Sequence, residues 1–597
     1  MDVAADRYGG DVTGSGAVTQ RRIVLWLAIV IGLTRFLAIA RTMFDWDEGL
    51  FALGVRDYDV NNHQPHPPGY PLFIAAAKVI ALTGLDAFRC LQVVVLLGAV
   101  FLFPALYWLA REIGFEFRTA VAGAAVYAFL PNVWIYGGTG FSDVPATTIV
   151  FVACALLLRG RHDARALIAG AAVLGIAAGI RPANLIIGAV PALMATWSQI
   201  RAKSYRAVAA AMFLGAVIVG GSYLGAALAS RGLDAFIDIV RAQSKYVREI
   251  DSWRNPIRPS LYQAAKRFLL WPFWHEDVLN GIAVAGALST IAAIVRRRLA
   301  PLLTLAMFMP LALISWLNFD IEAAGRYSIA YLAAYSLLAA DGFLLFGRKA
   351  QIVFCAAIVV ILSIWTWPAL QSQRTREAPP VAALRWVRSS VTPSATLFVH
   401  GLFGPLSDYV LDDRKPQFFE EPEDIPEAMG EAWVVDWRVH EGGQSFVSPH
   451  ERLWRIIRRR NFEASVIRAE GLVRYIRGWH GPEAMRAHLW RWSKKEGTVL
   501  LPALRGSGIV SLRLFVPIAW LSSAPAVDIY WNGQVIDHFV ATSENVERSW
   551  TLPSRAGAAN ELRLVTSATV IPARRGKSTD TRELGLRLDR LSWMPAQ

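Results

Sequence analysis

The sequence predicts a polytopic α-helical membrane protein followed by a soluble α/β domain and a β-sandwich. Three observations lead there. Hydrophobic residues make up 54% of the 597, and mean hydropathy is +0.36. Charged residues are 18%, where a soluble globular chain carries about 25%. The 61 Lys and Arg against 47 Asp and Glu give a net charge of +14, but the basic residues are spread as short clusters between apolar runs. That layout belongs to a chain that crosses a membrane repeatedly. It does not make the dense basic face of a nucleic-acid binder, so no nucleic-acid partner is expected. Disorder, collagen and coiled coil are excluded by the same composition.

Residues 1–20 read as a Gly-rich, disordered cytoplasmic N-terminus, and 21–370 as a transmembrane domain. A spanning helix needs about 20 mostly apolar residues. Candidates are 22–40, 88–110, 118–134, 145–159, 165–180, 184–198, 205–228, 277–295, 300–318, 327–346 and 351–369, about eleven transmembrane helices. Several are short, and 165–198 reads equally as a broken pair. Ala38-Ile39-Ala40 looks like a signal-peptide cleavage site, but the preceding apolar run is too long for an ordinary h-region. The first helix is therefore expected to be retained.

Lys and Arg favour cytoplasmic loops. With the N-terminus in the cytoplasm, six clusters land on that side: Arg21-Arg22, Arg111 with Arg118, Arg159-Arg161-Arg165, Arg201-Lys203-Arg206, Arg296-Arg297-Arg298 and Arg348-Lys349. An odd number of spans then exports everything after 370. This predicts a multi-pass protein of the cell (inner) membrane. Cys90, Cys154 and Cys355 lie in apolar runs and read as small buried hydrophobes, so the exported tail is built without disulfides.

The tail reads as two pieces. In 375–480, PPVAALRWVRSS (379–390) has helical apolar spacing, and TLFVHG (396–401) and AWVVDW (432–437) read as short buried strands, which makes a small α/β domain. In 487–597 short strand-like runs alternate with turn signals, and Asn532-Gly533 marks a hairpin. That stretch reads as a β-sandwich.

The stretch most informative about chemistry is 44–73, FDWDEGLFALGVRDYDVNNHQPHPPGYPLF, on the outer side of the first span. It concentrates Asp45, Asp47, Glu48, Asp57 and Asp59 with His63 and His66. Asp45 and Asp59 read as solvated. Pro67-Pro68-Gly69-Tyr70-Pro71 fixes a rigid re-entry, and 71–84 reads as an interfacial helix. Phe141-Ser142-Asp143-Val144-Pro145 puts a second acidic residue at the mouth of a later span. Arg181, in GIAAGIRPANL, sits at membrane depth. Such an arginine costs about 2.5–3.5 kcal/mol on insertion scales and faces a cavity or partner, or else snorkels to the interface. The loop 229–276 is long, basic and aromatic and reads as lying along the membrane surface.

These motifs, in this order, resemble the GT-C superfamily of integral-membrane glycosyltransferases, which includes protein O-mannosyltransferases and aminoarabinose transferases. The resemblance rests on Asp47-Glu48 after the first span, on PHPPGYPLF (65–73) and on Asp143, and covers about residues 20–370. The ending DTRELGLRLDRL (580–591) looks like carbohydrate-binding-like sandwich modules on other glycosyltransferases.

The resemblance implies transfer of a sugar, hexose or pentose, from a polyprenyl-phosphate donor to an extracytoplasmic glycan, lipid or protein. Asp47 would be the base, unless it caps a helix starting near Glu48. Glu48 would orient Asp47, bind a metal or face the positive end of the helix. Asp143 would be a second cavity carboxylate or a cap. His66, Arg181, Arg326 and Tyr327 would hold the donor phosphate, and His63 and Tyr70 would contact substrate. The cofactor is left open: oxygen ligands from Asp47, Glu48 and Asp143 would suit magnesium or manganese. Two other functions are compatible with the composition. One is a transporter or lipid flippase, which would place polar residues at mid-membrane. The other is a non-catalytic membrane anchor for a glycan-binding domain.

Overall fold

The computed structural model describes residues 14–273, 276–426, 431–440, 442–448, 452–485, 488–576 and 579–596. The first thirteen residues of the stretch read as disordered lie outside these. The chain divides into two compact units. The first comprises Met1–Ala382 with Asp408–Val410 and Val447–Glu463, and the second comprises Ala383–Ser407, Leu411–Phe446 and Ala464–Gln597.

In the first unit every apolar run of the sequence lies on a helix, but the helices differ in reach. Among the described residues, six are long and apolar enough to cross a membrane. They are Ala87–Ile113, Pro182–Arg201, Tyr205–Ala229, Glu276–Arg296, Leu299–Asn318 and the stretch Arg348–Ser390. A pair bent by 62°, Ile321–Tyr327 with Leu332–Leu344, makes seven if it counts as one span. The sequence count of about eleven is therefore higher than the number of full-length apolar helices.

The reason is local. Pro131 stops the run 118–134, leaving helices Phe117–Ala128 and Pro131–Tyr136. The helices Asp143–Arg159 and Ala164–Ile180 have 17 residues each. Arg181-Pro182 separates the second of these from the next helix, so 165–198 is the broken pair. Irregular backbone at membrane depth is tolerated where it lines a cavity or is buried in protein, and these breaks lie where the acidic and basic side chains meet.

Close packing brings the broken helices together. Ala87–Ile113 runs against Asp143–Arg159, where a side chain at Gly98 would come within 2.5 Å of the Pro145 Cα. Arg35, 1% exposed at the end of the helix Gly14–Arg35, donates to the carbonyls of Ile31 and Ala128 at 3.2 and 2.7 Å and lies over the rings of Phe129 and Trp134. Its charge is thus met by carbonyl groups freed at a helix end and by aromatic faces.

In the second unit, strands β1 (Thr396–His400), β2 (Gln417–Phe419), β3 (Ala432–Asp436), β4 (Gln444–Val447) and β5 (Glu463–Arg468) form a sheet in the order β2-β1-β3-β5-β4. The first three are parallel and β5 is antiparallel to β3. The helix Pro379–Ser390 precedes it, with Trp386 against Trp433 at 5.6 Å. Phe398, Val434 and Ile467 fill its core.

The last nine strands are β6 (Arg474–Trp479), β7 (Glu483–Met485), β8 (His488–Leu501), β9 (Ser507–Phe515), β10 (Ala526–Trp531), β11 (Gln534–Val540), β12 (Asn545–Pro553), β13 (Asn560–Thr566) and β14 (Arg587–Pro595). Seven follow the order β11-β10-β13-β8-β14-β9-β12, with β6 and β7 also on β8. Strand β8 pairs β13 through residues 496–501 and β14 through 491–492, so one long strand serves two layers. Leu512 and Leu514 of one layer share a core with Val527, Ile529 and Leu564 of the other. Asn532 and Gly533 have φ of 53° and 87° between Trp531 and Gln534, the left-handed pair that a two-residue hairpin of right-twisted strands requires.

Candidate active site

The helix Trp46–Arg56 opens with a reciprocal cap. Asp45 is the N-cap, accepting from the Asp47 amide at 3.2 Å, and Glu48 returns to the Asp45 amide at 3.1 Å. This capping box satisfies donors that the first helical turn leaves open. It also separates the acidic residues by role. Glu48 is fully buried and accepts from the amides of Phe44 (2.6 Å), Asp45 and Gly140 (2.7 Å). Burial pushes its carboxyl up to about 7 against the pull of those amides. Glu48 therefore ties the helix start to the loop before Asp143, with both of its oxygens held by backbone amides. Asp45 and Asp59 are not the solvated carboxylates the sequence suggests. Asp45 is 8% exposed and accepts from Asn461 Nδ2 at 2.9 Å. Asp59 caps a short helix and pairs with Arg231 at 3.0 Å.

Asp47, in the second helical position, turns the other way. Its Oδ2 lies 2.5 Å from Arg326 Nη1, and its Oδ1 lies 3.8 Å from His66 Nδ1. Partial burial alone would raise this carboxyl. The Arg326 guanidinium, with Arg458 beyond it, outweighs burial and holds it well below the usual carboxylate range. Arg326 is 6% exposed, donates to the Tyr327 hydroxyl at 3.0 Å and lies 4.7 Å from the Phe141 ring centre.

The re-entry after the acidic helix is equally specified. Gly69 has φ of +97°, and a side chain there would come within 2.5 Å of the Tyr58 hydroxyl. Tyr70 follows at φ 44°, a left-handed conformation uncommon outside glycine. It is held by a 2.9 Å hydrogen bond between its hydroxyl and His66 Nε2 and by an edge contact with Phe51 at 5.0 Å. The helix Pro71–Ala81 then begins. Burial, with Arg326 and Arg181 nearby, pushes the His66 imidazole down to about 4 against the attraction of Asp47. It is neutral at physiological pH, and its buried Nδ1 has no hydrogen-bond partner among the described residues. His63 is exposed at the left-handed end of the short helix Val60–Asn62.

A second ion pair lies alongside. Arg181, at the break after Ala164–Ile180, places Nη2 3.1 Å from Asp143 Oδ1 and Nη1 3.3 Å from Oδ2, and also reaches Ser142 Oγ at 3.2 Å. Both partners are buried. The pairing is bidentate, the strong geometry for guanidinium and carboxylate. Arg181 and Arg326 flank one phenol, with their Cζ atoms 5.7 and 4.8 Å from the Tyr327 ring centre. Asp143, Arg181, Arg326 and Tyr327 line a single small cleft with Thr147 and Asn184.

Of the residues singled out in the sequence, Asp47, Asp143, His66, Tyr70, Arg181, Arg326 and Tyr327 are gathered here. Glu48 is spent on backbone, and His63 stands at the solvent edge. The donor set does not fit a divalent cation. Glu48 is committed to three amides and the other two carboxylates to guanidiniums. Among the described residues no group of three His, Cys, Asp or Glu side chains could hold a metal. Sequence reasoning missed Asp320, which pairs with Arg458 and caps the short helix leading to Arg326, and with it Arg458 and Asn461. The last two lie in the basic run RIIRRRN of the tail, whose only signal is its charge.

No protein-family model matches the sequence, and no curated protein matches it. Among solved structures, the chain is similar to ArnT from Cupriavidus metallidurans bound to undecaprenyl phosphate, at 12% identity and a TM-score of 0.47, over 76% of this chain and 98% of that one. It is also similar to the Archaeoglobus fulgidus oligosaccharyltransferase in complex with zinc and sulfate, at 13% identity and 0.44, over 69% and 68%. A third is the mycobacterial arabinofuranosyltransferase AftD, at 9% identity and 0.43, over 96% of this chain and 58% of that one.

Proposed function

We propose that the chain is a membrane glycosyltransferase that moves a sugar from a polyprenyl-phosphate donor to an extracytoplasmic glycan, lipid or protein. The observation that supports this reading is the pair of carboxylate–guanidinium couples, Asp47–Arg326 and Asp143–Arg181, side by side around Tyr327. Two buried guanidiniums facing one cleft suit a phosphate. A carboxylate beside them suits an acceptor hydroxyl.

The acceptor oxygen attacks the anomeric carbon, and the bond from that carbon to the phosphate oxygen breaks. The phosphate leaves with the electron pair as a stable anion, so no carboxylic acid is needed to protonate it. Glycoside hydrolysis, by contrast, requires a second carboxyl group as acid. The acceptor proton goes to Asp47. Arg181 and Arg326 hold the departing charge, Tyr327 walls the cleft between them, and the Tyr70 ring lies 5.8 Å from the Arg181 guanidinium carbon. When the phosphate takes up Arg326, Asp47 loses the cation that depresses its basicity. The base thus strengthens as the donor settles.

Asp47→Asn keeps size and removes the proton acceptor. General-base catalysis contributes typically 10²–10⁴-fold. Release of decaprenyl phosphate from decaprenyl-phosphate-linked hexoses and pentoses should therefore fall at least about 100-fold, with the variant still monodisperse in detergent. Release within about threefold of wild type would refute Asp47 as base. Decaprenyl-phosphate sugars that are moved across vesicles but never cleaved by the wild type would point to a transporter instead.

A further inference from the structure

The segment 447–463 runs from the last residue of β4 to the first of β5 but packs within the first unit. Two of its side chains, three residues apart, meet the starts of two different short helices. Asn461 Nδ2 donates to Asp45 Oδ2 at 2.9 Å, and the other Asp45 oxygen accepts from the Asp47 amide. Asp45 is the N-cap of the helix that carries Asp47. Arg458 donates to Asp320 Oδ2. The other Asp320 oxygen caps the short helix Ile321–Ala323 through the Glu322 amide at 2.9 Å, and that helix runs directly into Ala324–Tyr327, which carries Arg326. One strap therefore holds the caps of both halves of the Asp47–Arg326 pair.

The strap is itself anchored. The Ile456 carbonyl accepts from the Tyr136 hydroxyl at 3.3 Å and crosses Gly325, where a side chain would come within 3.0 Å of it. The Arg455 carbonyl accepts from Arg267 at 2.7 Å. Phe462 lies 5.7 Å from Phe44, and Arg452 donates to the Trp365 carbonyl at 2.7 Å. Within 458–461 the Asn461 amide bonds the Arg458 carbonyl at 3.1 Å, a turn that fixes the spacing of the two contacts.

We propose that Asn461 and Arg458 are positioning residues for sugar transfer. Asn461 sets Asp47 and Arg458 sets Arg326, so the soluble tail supplies part of the active-site geometry. This rests on the reading of Asp47 as base and Arg326 as phosphate ligand. A carboxylate cap held by a second side chain has one orientation, and the helix start follows it. Misplacing a reacting group by about 1 Å can cost as much as 10²-fold.

The test uses the full chain in detergent, with decaprenyl phosphate as binding probe and decaprenyl-phosphate-linked sugars for single-turnover release. Asn461→Ala is expected to slow release about 10-fold and leave probe affinity within twofold. Arg458→Gln is expected to weaken probe affinity about 10-fold, and Arg458→Lys to restore it to within threefold. General loosening of the strap would move both quantities together in both variants, and that result would overturn the proposal. Wild-type behaviour of both variants would overturn it as well. Asp47→Asn in the same assay separates the two claims. If it is inactive while the strap variants are normal, only the positioning role fails. If it is active, the underlying reading fails.

Discussion

Arg326 holds Asp47 through Nη1, 2.5 Å from Oδ2, while the Nε of the same guanidinium is buried with no hydrogen-bond partner among the described residues. The pair is therefore strong yet incomplete. A buried donor left unsatisfied carries a desolvation cost of about 1–3 kcal/mol, and a phosphate oxygen could relieve it. His66 Nδ1, 3.8 Å from the same carboxylate, is orphaned in the same way.

Asp47 and the donor phosphate should compete for Arg326. Asp47→Asn should then tighten decaprenyl phosphate binding, by about 10-fold, while slowing transfer at least about 100-fold. An ionic hydrogen bond of about 1.5–3 kcal/mol sets that scale. Equilibrium binding of the probe to wild type and variant decides it, and a weaker affinity in the variant would sink the competition.

Arg181 and Asp143 should show unequal compensation. Arg181→Gln leaves a buried carboxylate without its cation, which is strongly destabilising, and removes one of the two proposed phosphate ligands. It should lower the thermal midpoint and weaken probe binding about 10- to 100-fold. Adding Asp143→Asn should recover the midpoint and leave the affinity low. Recovery of both would mean that Arg181 serves only the ion pair.

Much of the fold was legible because its signals are local. Apolar runs and arginine clusters located the helices, the spacing of 379–390 gave that helix, and Asn532-Gly533 marked its hairpin. The acidic helix with its proline-rich re-entry was also readable, as residues. Their division of labour was not. Asp47 and Glu48 are neighbours, yet one faces a guanidinium and the other an amide 92 positions away. The Asp47–Arg326 pair joins residues 279 apart, and Asp45–Asn461 joins residues 416 apart. Periodicity carries no information about such contacts. The eleven apolar runs outnumber the full-length apolar helices because hydropathy finds apolar segments and cannot tell an unbroken helix from one interrupted at Pro131 or Arg181-Pro182.

Glu48 and His66 should bend the pH dependence of stability in opposite directions. The folded-state value of Glu48 is raised from 4.5 to about 7, so its contribution is complete below pH 4.5 and is lost as pH rises toward 7. That of His66 is lowered from 6.5 to about 4, so its contribution is complete above pH 6.5 and is lost as pH falls toward 4. Between pH 4.5 and 6.5 the two slopes offset each other. Glu48→Gln should leave stability rising with pH in that window, and His66→Gln should leave it falling, each by roughly 1 kcal/mol per pH unit. Thermal midpoints in detergent across the window test this. Slopes of the same sign would refute it.

The arginine clusters predict a tail outside the cytoplasm. A reporter active only in the cytoplasm, fused after Gln597, should be silent, and the same reporter placed within the loop 201–206 should be active. A bright signal at the C-terminus would reverse the orientation of the cleft.

The strap also bears on how such a chain can be recombined. The α/β sheet is interrupted between β4 and β5 by a segment that belongs to the membrane unit, so the tail is not a detachable cassette. A chimera that exchanges residues 375–480 for a foreign domain would carry away the Asn461 and Arg458 contacts to the caps of the helices that carry Asp47 and Arg326. One that keeps 447–463 while replacing the strands on either side would retain them. Divergence in the tail would then be least free along seventeen residues that look, in the sequence, like an unremarked basic loop.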